Sequence, residues 1–180
     1  TILMMAAYKG HTKIVRSLLA NGANINAQNK DQWTALMMAA YKGHTETVQL
    51  LLERGAKTNT QNNNGWTALM TAAQNGHTDT VKLLLESGAE VDAQNMWCET
   101  AVMIAAENGH TDTVKLLLKK GANVEVPNKD QWTALMKAAQ NSHTDTVKLL
   151  LENGANINAQ SKDQWTALMM AAQNGHTDTV

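Results

Sequence analysis

Six histidines are the residues of this chain whose type and spacing first suggest chemistry. They are His11, His44, His77, His110, His143 and His176, and each lies 33 residues after the one before. Imidazole is a common zinc ligand and a common acid–base group. Stacked helices, however, lie about 8–10 Å apart, so equivalent histidines in neighbouring units cannot share an ion with bonds of about 2 Å. We therefore expect no metal site, and we expect each histidine to cap or tether the helix that follows it.

The other patterns that would indicate catalysis are missing from the sequence. It contains no Gly-rich phosphate loop and no nucleophile elbow. Its single cysteine, Cys98, has no sequence neighbour that would activate a thiol. We expect a protein that is not an enzyme and that needs no cofactor.

Composition restricts the partners. The chain has 15 Lys and Arg against 16 Asp and Glu, a formal charge of −1. This balance gives no basic field for a nucleic acid or an anionic membrane, and no apolar run approaches the roughly 18 residues of a membrane span. One cysteine allows no internal disulfide, which favours a reducing, cytoplasmic location. The composition therefore predicts an intracellular protein with neither nucleic acid nor membrane as a partner.

The 33-residue period defines a unit with two short helical patterns. The first covers about residues 34–41, and one of its faces carries Leu36, Ala39 and Ala40. The second covers about 45–53, and one of its faces carries Val48, Leu51 and Leu52. Both sets follow the i, i+3, i+4 spacing of an amphipathic helix. The polar stretch 24–32 suits an extended arm with a turn, which would connect one unit to the next.

The repeated run T-A-L-M-x-A-A-x-x-G-H-x-x-x-V-x-x-L-L-x-x-G-A-x-x-N-A resembles the ankyrin repeat, a family with a 33-residue period and a T-P-L-H-x-A signature. Ala35 replaces the proline of the signature and Met37 replaces its histidine, and the four later units share both changes. We expect the adaptable methionine to fill the same space by packing. The resemblance implies an all-α fold, an ankyrin-repeat solenoid of stacked helix-turn-helix units with connecting hairpin arms.

The period also predicts the domain organisation. We expect one array over 1–180 of about five and a half repeats: 1–28 (partial), 29–61, 62–94, 95–127, 128–160 and 161–180 (partial). Neither end carries the polar, atypical repeat that normally closes a solenoid, so we expect a fragment of a longer array. Ile2 and Leu3 at one end and Leu168 at the other are then apolar surfaces that favour head-to-tail stacking between molecules.

Four tryptophans precede the signature threonine: Trp33, Trp66, Trp132 and Trp165. The resemblance places them at hairpin tips beside the concave groove. Two interpretations are open and compatible. The rings can form a structural ladder in which each packs on the next repeat's turn, or they can anchor a bound protein, since tryptophan is enriched at binding hot spots.

Residues that break the period have two interpretations: they reflect neutral drift among repeats, since single exposed substitutions usually change little, or they mark a function specific to this chain. On this basis, and on the groove positions that the resemblance implies, the candidate protein-binding residues are Tyr8, Tyr41, Lys42, Trp66, Met96, Trp97, Glu99, Glu107, Trp132 and Lys137. We expect a scaffold that binds a protein target through a rigid concave groove, which loses little entropy on binding. The alternative is a structural or self-assembling spacer with no dedicated target in the groove.

Overall fold

The computed structural model describes residues 1–176, and within that range it contains eleven α-helices and no strand. The helices are α1 (Ile2–Tyr8), α2 (Thr12–Ala20), α3 (Ala35–Tyr41), α4 (Thr45–Glu53), α5 (Ala68–Gln74), α6 (Thr78–Glu86), α7 (Ala101–Glu107), α8 (Thr111–Lys119), α9 (Ala134–Gln140), α10 (Thr144–Glu152) and α11 (Ala167–Gln173). The predicted all-α repeat solenoid is confirmed. The predicted start of a last outer helix, residues 177–180, lies outside the described residues.

The helices group into two compact units, Thr1–Glu90 and Val91–Val180. In the first unit the short helices α1, α3 and α5 pack in series, and the longer helices α2, α4 and α6 form a second series. In the second unit α7, α9 and α11 form the inner series, while α8 packs on α10. Each unit is thus two layers of helices, as predicted. One continuous array over the whole chain stays a prediction.

Threonine and glycine fix where the helices begin and end. Thr34 caps α3, since its Oγ1 accepts a hydrogen bond from the backbone N–H of Met37 at 3.2 Å. Gly43 follows the C-cap of α3 with φ 68°. This left-handed conformation is costly for other residues and ends the helix. Asp79 in the first turn of α6 lies where the helix dipole favours an anion.

The core lies between the two helix layers. Leu36 is 2 % exposed, and Val48 and Leu51 are fully buried. Their equivalents in the next three repeats are buried as well. Met37, in place of the signature histidine, is 1 % exposed, so the methionine fills the space by packing, as predicted.

The arms between helix pairs are tight hairpin turns, built on an asparagine in the first four and on Ser161 in the last one described. Asn29 donates its N–H to the carbonyl of Trp33 at 3.1 Å, and its Oδ1 accepts from the N–H groups of Asp31 and Trp33. Neighbouring tips are joined by the backbone, for example by the N–H of Asn63, which donates to the carbonyl of Asp31 at 3.1 Å. These bonds hold the tips of consecutive repeats in a fixed register.

The histidines join consecutive repeats. Nε2 of His44 lies 3.0 Å from the carbonyl oxygen of Tyr8, and Nε2 of His143 lies 3.0 Å from that of Glu107. A carbonyl oxygen only accepts, so this nitrogen carries the proton. Gly10 leaves room for the ring, because a Cβ there would come within 2.6 Å of Nδ1 of His44. The tether is confirmed but runs to the preceding repeat, and neither histidine caps its own helix with its side chain.

Candidate functional site

The ten candidate binding residues fall into two groups, one in each unit. Tyr8, Tyr41, Lys42 and Trp66 belong to the first unit, and Met96, Trp97, Glu99, Glu107, Trp132 and Lys137 belong to the second. They lie at the C-terminal ends of inner helices, at hairpin tips or, in the case of Lys137, within an inner helix. The two groups differ in chemistry and are described in turn.

Aromatic rings dominate the surface of the first unit. The rings of Tyr8 and Tyr41, which end consecutive inner helices, are stacked with centroids 6.5 Å apart and planes 13° from parallel. Trp33 meets Tyr41 edge-on, with the centroids 6.2 Å apart and an angle of 89°. Stacked and edge-to-face pairs are both favoured geometries. Tyr8 is 40 % exposed, so the ring at the end of this row presents much of its surface to solvent.

A lysine covers the two tyrosines. Nζ of Lys42 lies 4.8 Å from the ring centre of Tyr8 and 5.4 Å from that of Tyr41, both within cation–π range. The phenolic oxygen of Tyr8, through a hydrogen bond and its charge, raises the pKa of Lys42 above its ordinary value of 10.5. Lys42 is therefore an exposed cation whose neighbours are the phenol of Tyr8 and two aromatic rings, with no carboxylate among them.

An open cavity of about 400 Å³ adjoins Tyr8. Its apolar lining comes from Met4, Met5 and Met38, and Lys9 stands at its edge. Methionine side chains adapt their shape to a ligand more readily than branched ones. This surface, formed by Tyr8, Tyr41, Trp33 and Lys42 with the methionine cavity, is called the tyrosine surface below.

Charge pairing dominates the second unit. Nζ of Lys137 lies 3.1 Å from Oε1 of Glu99 and 3.0 Å from Oε1 of Glu107. The side chains of Lys137 and Glu99 are only 13 % and 16 % exposed, whereas that of Glu107 is 39 % exposed. Burial lowers the pKa of Lys137, but the hydrogen bonds and charges of the two carboxylates outweigh it and hold the pKa above 10.5. The group of Glu99, Glu107 and Lys137 is called the lysine clamp.

Two further residues support the lysine clamp. Nδ2 of Asn95 donates to Oε2 of Glu99 at 3.1 Å, so both carboxylate oxygens of Glu99 are engaged. The ring of Trp132 lies 5.6 Å from Nζ of Lys137. The clamp joins the helix pair of Glu107 to the next, which carries Lys137. Its net charge is −1, and its cation is paired with the two carboxylates of the preceding repeat.

The remaining candidates lie at hairpin tips. Met96 and Trp97 are 47 % and 44 % exposed, and the carbonyl of Trp97 accepts the N–H of Lys129 at 3.0 Å. Trp66 is half-buried, and its backbone N–H donates to Oδ1 of Asn62. Trp97 and Glu99 belong to one unit and Tyr41 and Lys42 to the other. Each unit thus carries its own group of candidates, and the binding role of every candidate stays a prediction.

Sequence reasoning missed two contributors to these surfaces. Trp33 is one of four tryptophans in phase with the repeat, but it alone has a tyrosine eight residues later, at the end of its inner helix. Asn95 repeats the hairpin asparagines Asn29, Asn62 and Asn128, so the period concealed its bond to Glu99. The eight-residue separation between Trp33 and Tyr41 in the sequence could have identified Trp33. Nothing in the sequence around Asn95 distinguishes it from the other hairpin asparagines.

The units differ in formal charge as well. Residues 1–90 contain eight Lys and Arg and six Asp and Glu, a charge of +2, whereas residues 91–180 contain seven and ten, a charge of −3.

Within residues 1–176, no three His, Cys, Asp or Glu side chains are grouped as a metal site would need. In the same range, every helix is too short or too polar to cross a bilayer.

Family models agree with the repeat geometry. A model described as ankyrin repeats (3 copies) matches residues 3–95 and again 94–161, and a single ankyrin repeat model matches residues 163–180. No curated protein matches the chain significantly. The matches cover nearly the whole sequence, and the chain belongs to the ankyrin repeat family.

Proposed function

We propose that this chain binds a protein target and that the tyrosine surface of the first unit makes the main contact. Ankyrin repeats are in general protein–protein interaction modules and are typically not enzymes. The observation that carries the finer proposal is the stacked pair of Tyr8 and Tyr41 under an exposed Lys42. Tyrosine is enriched at binding hot spots. Rings held by stacking also lose little conformational freedom when a target covers them.

The charge arrangement supports the first unit over the second. Lys42 has π-faces beneath it and remains open to an anionic group of a target, whereas Lys137 is bonded to two carboxylates. A target that used Lys137 would have to break those bonds, and losing partners of a half-buried charge is costly. We therefore propose a target segment that combines an apolar side chain for the methionine cavity with a carboxylate for Lys42.

The proposal can be tested with peptides selected by display on the 180-residue chain and measured by calorimetry. Tyr8→Ala and Tyr41→Ala should each weaken a selected peptide about 30-fold, the equivalent of about 2 kcal/mol for a hot spot. Lys82→Ala, on the exposed face of α6, is the matched control and should leave the affinity unchanged. Equal affinities for all three variants would contradict the proposal.

Self-association is the second candidate function, and a specific observation favours it. Leu168 and Met169 of α11 are 50 % and 51 % exposed, whereas the equivalent Leu36 and Met37 are 2 % and 1 % exposed. Ile2 of α1 is 70 % exposed, whereas the expectation that Leu3 shares this open surface is wrong, because Leu3 is only 3 % exposed. We propose that these faces stack between copies of the 180-residue chain. Light scattering should then show a mass that rises with concentration and that Leu168→Lys abolishes; a monomer at every concentration would remove this candidate.

We also propose an intracellular, cytoplasmic location. Its support is Cys98, a free and partly exposed cysteine in a hairpin tip. An exposed thiol persists in a reducing compartment and is prone to oxidation outside it. Fractionation of the source cells should find the chain with cytoplasmic markers, and recovery from the extracellular medium would contradict this location.

A further inference from the structure

Six Asn-Gly pairs occur in the chain, and one has a different structural setting from the rest. The pairs are Asn21-Gly22, Asn64-Gly65, Asn75-Gly76, Asn108-Gly109, Asn153-Gly154 and Asn174-Gly175. In five of them the asparagine is the C-cap of a helix, whereas Asn64 lies at the tip of the hairpin over 62–66. We propose that Asn64 is a site of spontaneous modification, at which its side-chain amide cyclises onto Gly65 and is hydrolysed.

The five helix-capping asparagines are held away from this reaction. In each, Nδ2 donates to the carbonyl four residues earlier, for example Asn75 to Thr71 at 3.0 Å and Asn153 to Leu149 at 2.8 Å. The same bond is present at Asn21, Asn108 and Asn174. It turns the side chain toward the preceding helical turn and away from the glycine nitrogen that must attack it. Cyclisation there requires the loss of this bond and a departure from the cap conformation.

Asn64 has no such restraint. It is exposed, and its side-chain amide makes no hydrogen bond within the described residues. Its backbone N–H donates to Oδ1 of Asn62 at 2.9 Å, and this bond does not involve the side chain of Asn64. The N–H of Gly65 donates to the carbonyl of Asn62 at 2.9 Å, but the glycine N–H is bonded in all six pairs and so does not distinguish them. The free side chain is the difference.

The chemistry needs only water. The deprotonated backbone nitrogen of Gly65 attacks Cγ of Asn64, the bond from Cγ to Nδ2 breaks, and ammonia leaves. The product is a five-membered succinimide. Water then adds to one of its two carbonyl carbons and the ring C–N bond breaks, which gives aspartate or isoaspartate. Glycine favours the first step because no Cβ shields the nitrogen and because its backbone reaches conformations closed to other residues.

The two products have different consequences for the tip. Asp31, Asp130 and Asp163 occupy the equivalent position in three other hairpins, so an aspartate at 64 is compatible with the turn. Isoaspartate inserts an extra methylene into the backbone, next to Asn63, whose N–H is bonded to the carbonyl of Asp31. Either product lowers the formal charge of residues 1–90 from +2 to +1. This proposal is independent of the proposed binding function.

Peptide mapping of the folded chain, incubated in mildly alkaline buffer, tests the proposal. Cleavage after Lys57 and Lys82 releases one peptide that contains both Asn64-Gly65 and Asn75-Gly76, which gives a matched comparison within a single fragment. Electron-transfer fragmentation locates the modification and separates aspartate from isoaspartate. We expect Asn64 to be modified at least about fivefold faster than Asn75, a ratio equal to about 1 kcal/mol, the net contribution of one typical hydrogen bond.

Two controls make the test decisive. In urea, where neither asparagine is held by structure, the two sites should react at similar rates. Gly65→Gln, which gives this tip the residue of the equivalent Gln32, should suppress modification at Asn64 and leave Asn75 unchanged. The proposal is overturned if the folded chain modifies Asn75 as fast as Asn64. It is equally overturned if Asn64 stays intact for as long as it takes both sites to react in urea.

Discussion

The tyrosine surface and the lysine clamp occupy comparable places in the repeat, but their lysines differ. Lys42 is exposed, whereas Lys137 is largely buried and paired with carboxylates. In the first unit, Tyr8 and Tyr41 stack, and Lys42 lies over their rings without a carboxylate partner. In the second, Glu107 takes the place of the tyrosine and is bonded to Lys137. The tyrosine surface presents Tyr8 and Lys42 to solvent, whereas the lysine clamp pairs its charges between neighbouring helix pairs.

This difference shows that a break in a repeat pattern has two separate meanings. A residue that departs from the period can bind another protein, or it can form a contact with a second departing residue in a neighbouring repeat. Lys137 stands where Met38 and Met170 stand in other repeats, and Glu99 stands where a tryptophan stands. The two changes bring their charges within 3.1 Å of each other. We therefore expect mutations in the lysine clamp to affect stability and mutations at the tyrosine surface to affect binding.

The largest expected effect on stability comes from removing the cation of the clamp. Lys137→Met should lower the free energy of unfolding by about 2 kcal/mol, because it leaves two carboxylates close together without their shared cation. Urea denaturation followed by circular dichroism measures the change. Lys42→Met is the matched variant in the first unit and should leave the midpoint unchanged. Equal midpoints for both variants would show that the clamp is not a stabilising contact.

The next effect concerns coupling between the tyrosines. The free energies of unfolding of Tyr8→Ala, Tyr41→Ala and the double variant, measured by urea denaturation, form a double-mutant cycle. Its coupling free energy should be about 1 kcal/mol, the usual contribution of an aromatic pair beyond buried area. Fluorescence of Trp33 should also change in Tyr41→Ala, since that ring meets Trp33 edge-on. Additive effects of the two substitutions would mean that the stacked rings do not stabilise each other.

Alkaline pH should have a smaller effect, because it removes the contribution of the lysine clamp to the free energy of unfolding. The pKa of Lys137 is raised on folding, so its stabilisation is fully present below the unfolded value of about 10.4 and is lost as pH rises through the higher folded value. The difference in unfolding free energy between the wild type and Lys137→Met should therefore shrink above about pH 10.4. Urea denaturation over a pH series checks this, and a difference that grows with pH would contradict it.

The smallest expected effect concerns the hairpins, which the two units share. Gln32 and Gln131 have φ of 61° and 62°, a left-handed conformation that Gly65 adopts at the equivalent position without a Cβ. Gln32→Gly and Gln131→Gly should each stabilise the chain by about 0.5 kcal/mol, since relief of strain exceeds the added freedom of the unfolded chain. Thermal unfolding should give similar gains in both units, and a loss in either would show that the glutamine is not strained.

The sequence predicted the helices closely because the same signals recur in every repeat. The prediction of about 34–41 for α3 differs from the observed Ala35–Tyr41 only in Thr34, which is its cap. Burial of Leu36, Val48 and Leu51 followed from the spacing of apolar residues. Because the same pattern recurs in several repeats, helix bounds and buried positions that are ambiguous in one segment become clear from the others.

The contacts between repeats were harder to predict, for a physical reason. Side chains such as Lys137 and Glu107 meet across 30 residues, and His143 reaches the carbonyl of Glu107 across 36. The period places such residues in neighbouring repeats but does not fix the rotamers or the offset that bring their atoms together. Thus Glu99, Glu107 and Lys137 could be recognised as unusual, whereas their contact with one another could not.

A residue-resolved map of binding tests the central claim most directly. The isotope-labelled chain is titrated with a display-selected peptide, and its backbone and side-chain NMR signals are followed. We predict saturable shifts centred on Tyr8, Trp33, Tyr41 and Lys42, with the signals of Glu99 and Lys137 nearly unmoved. Shifts centred on the lysine clamp, with the tyrosine surface unmoved, would contradict the account.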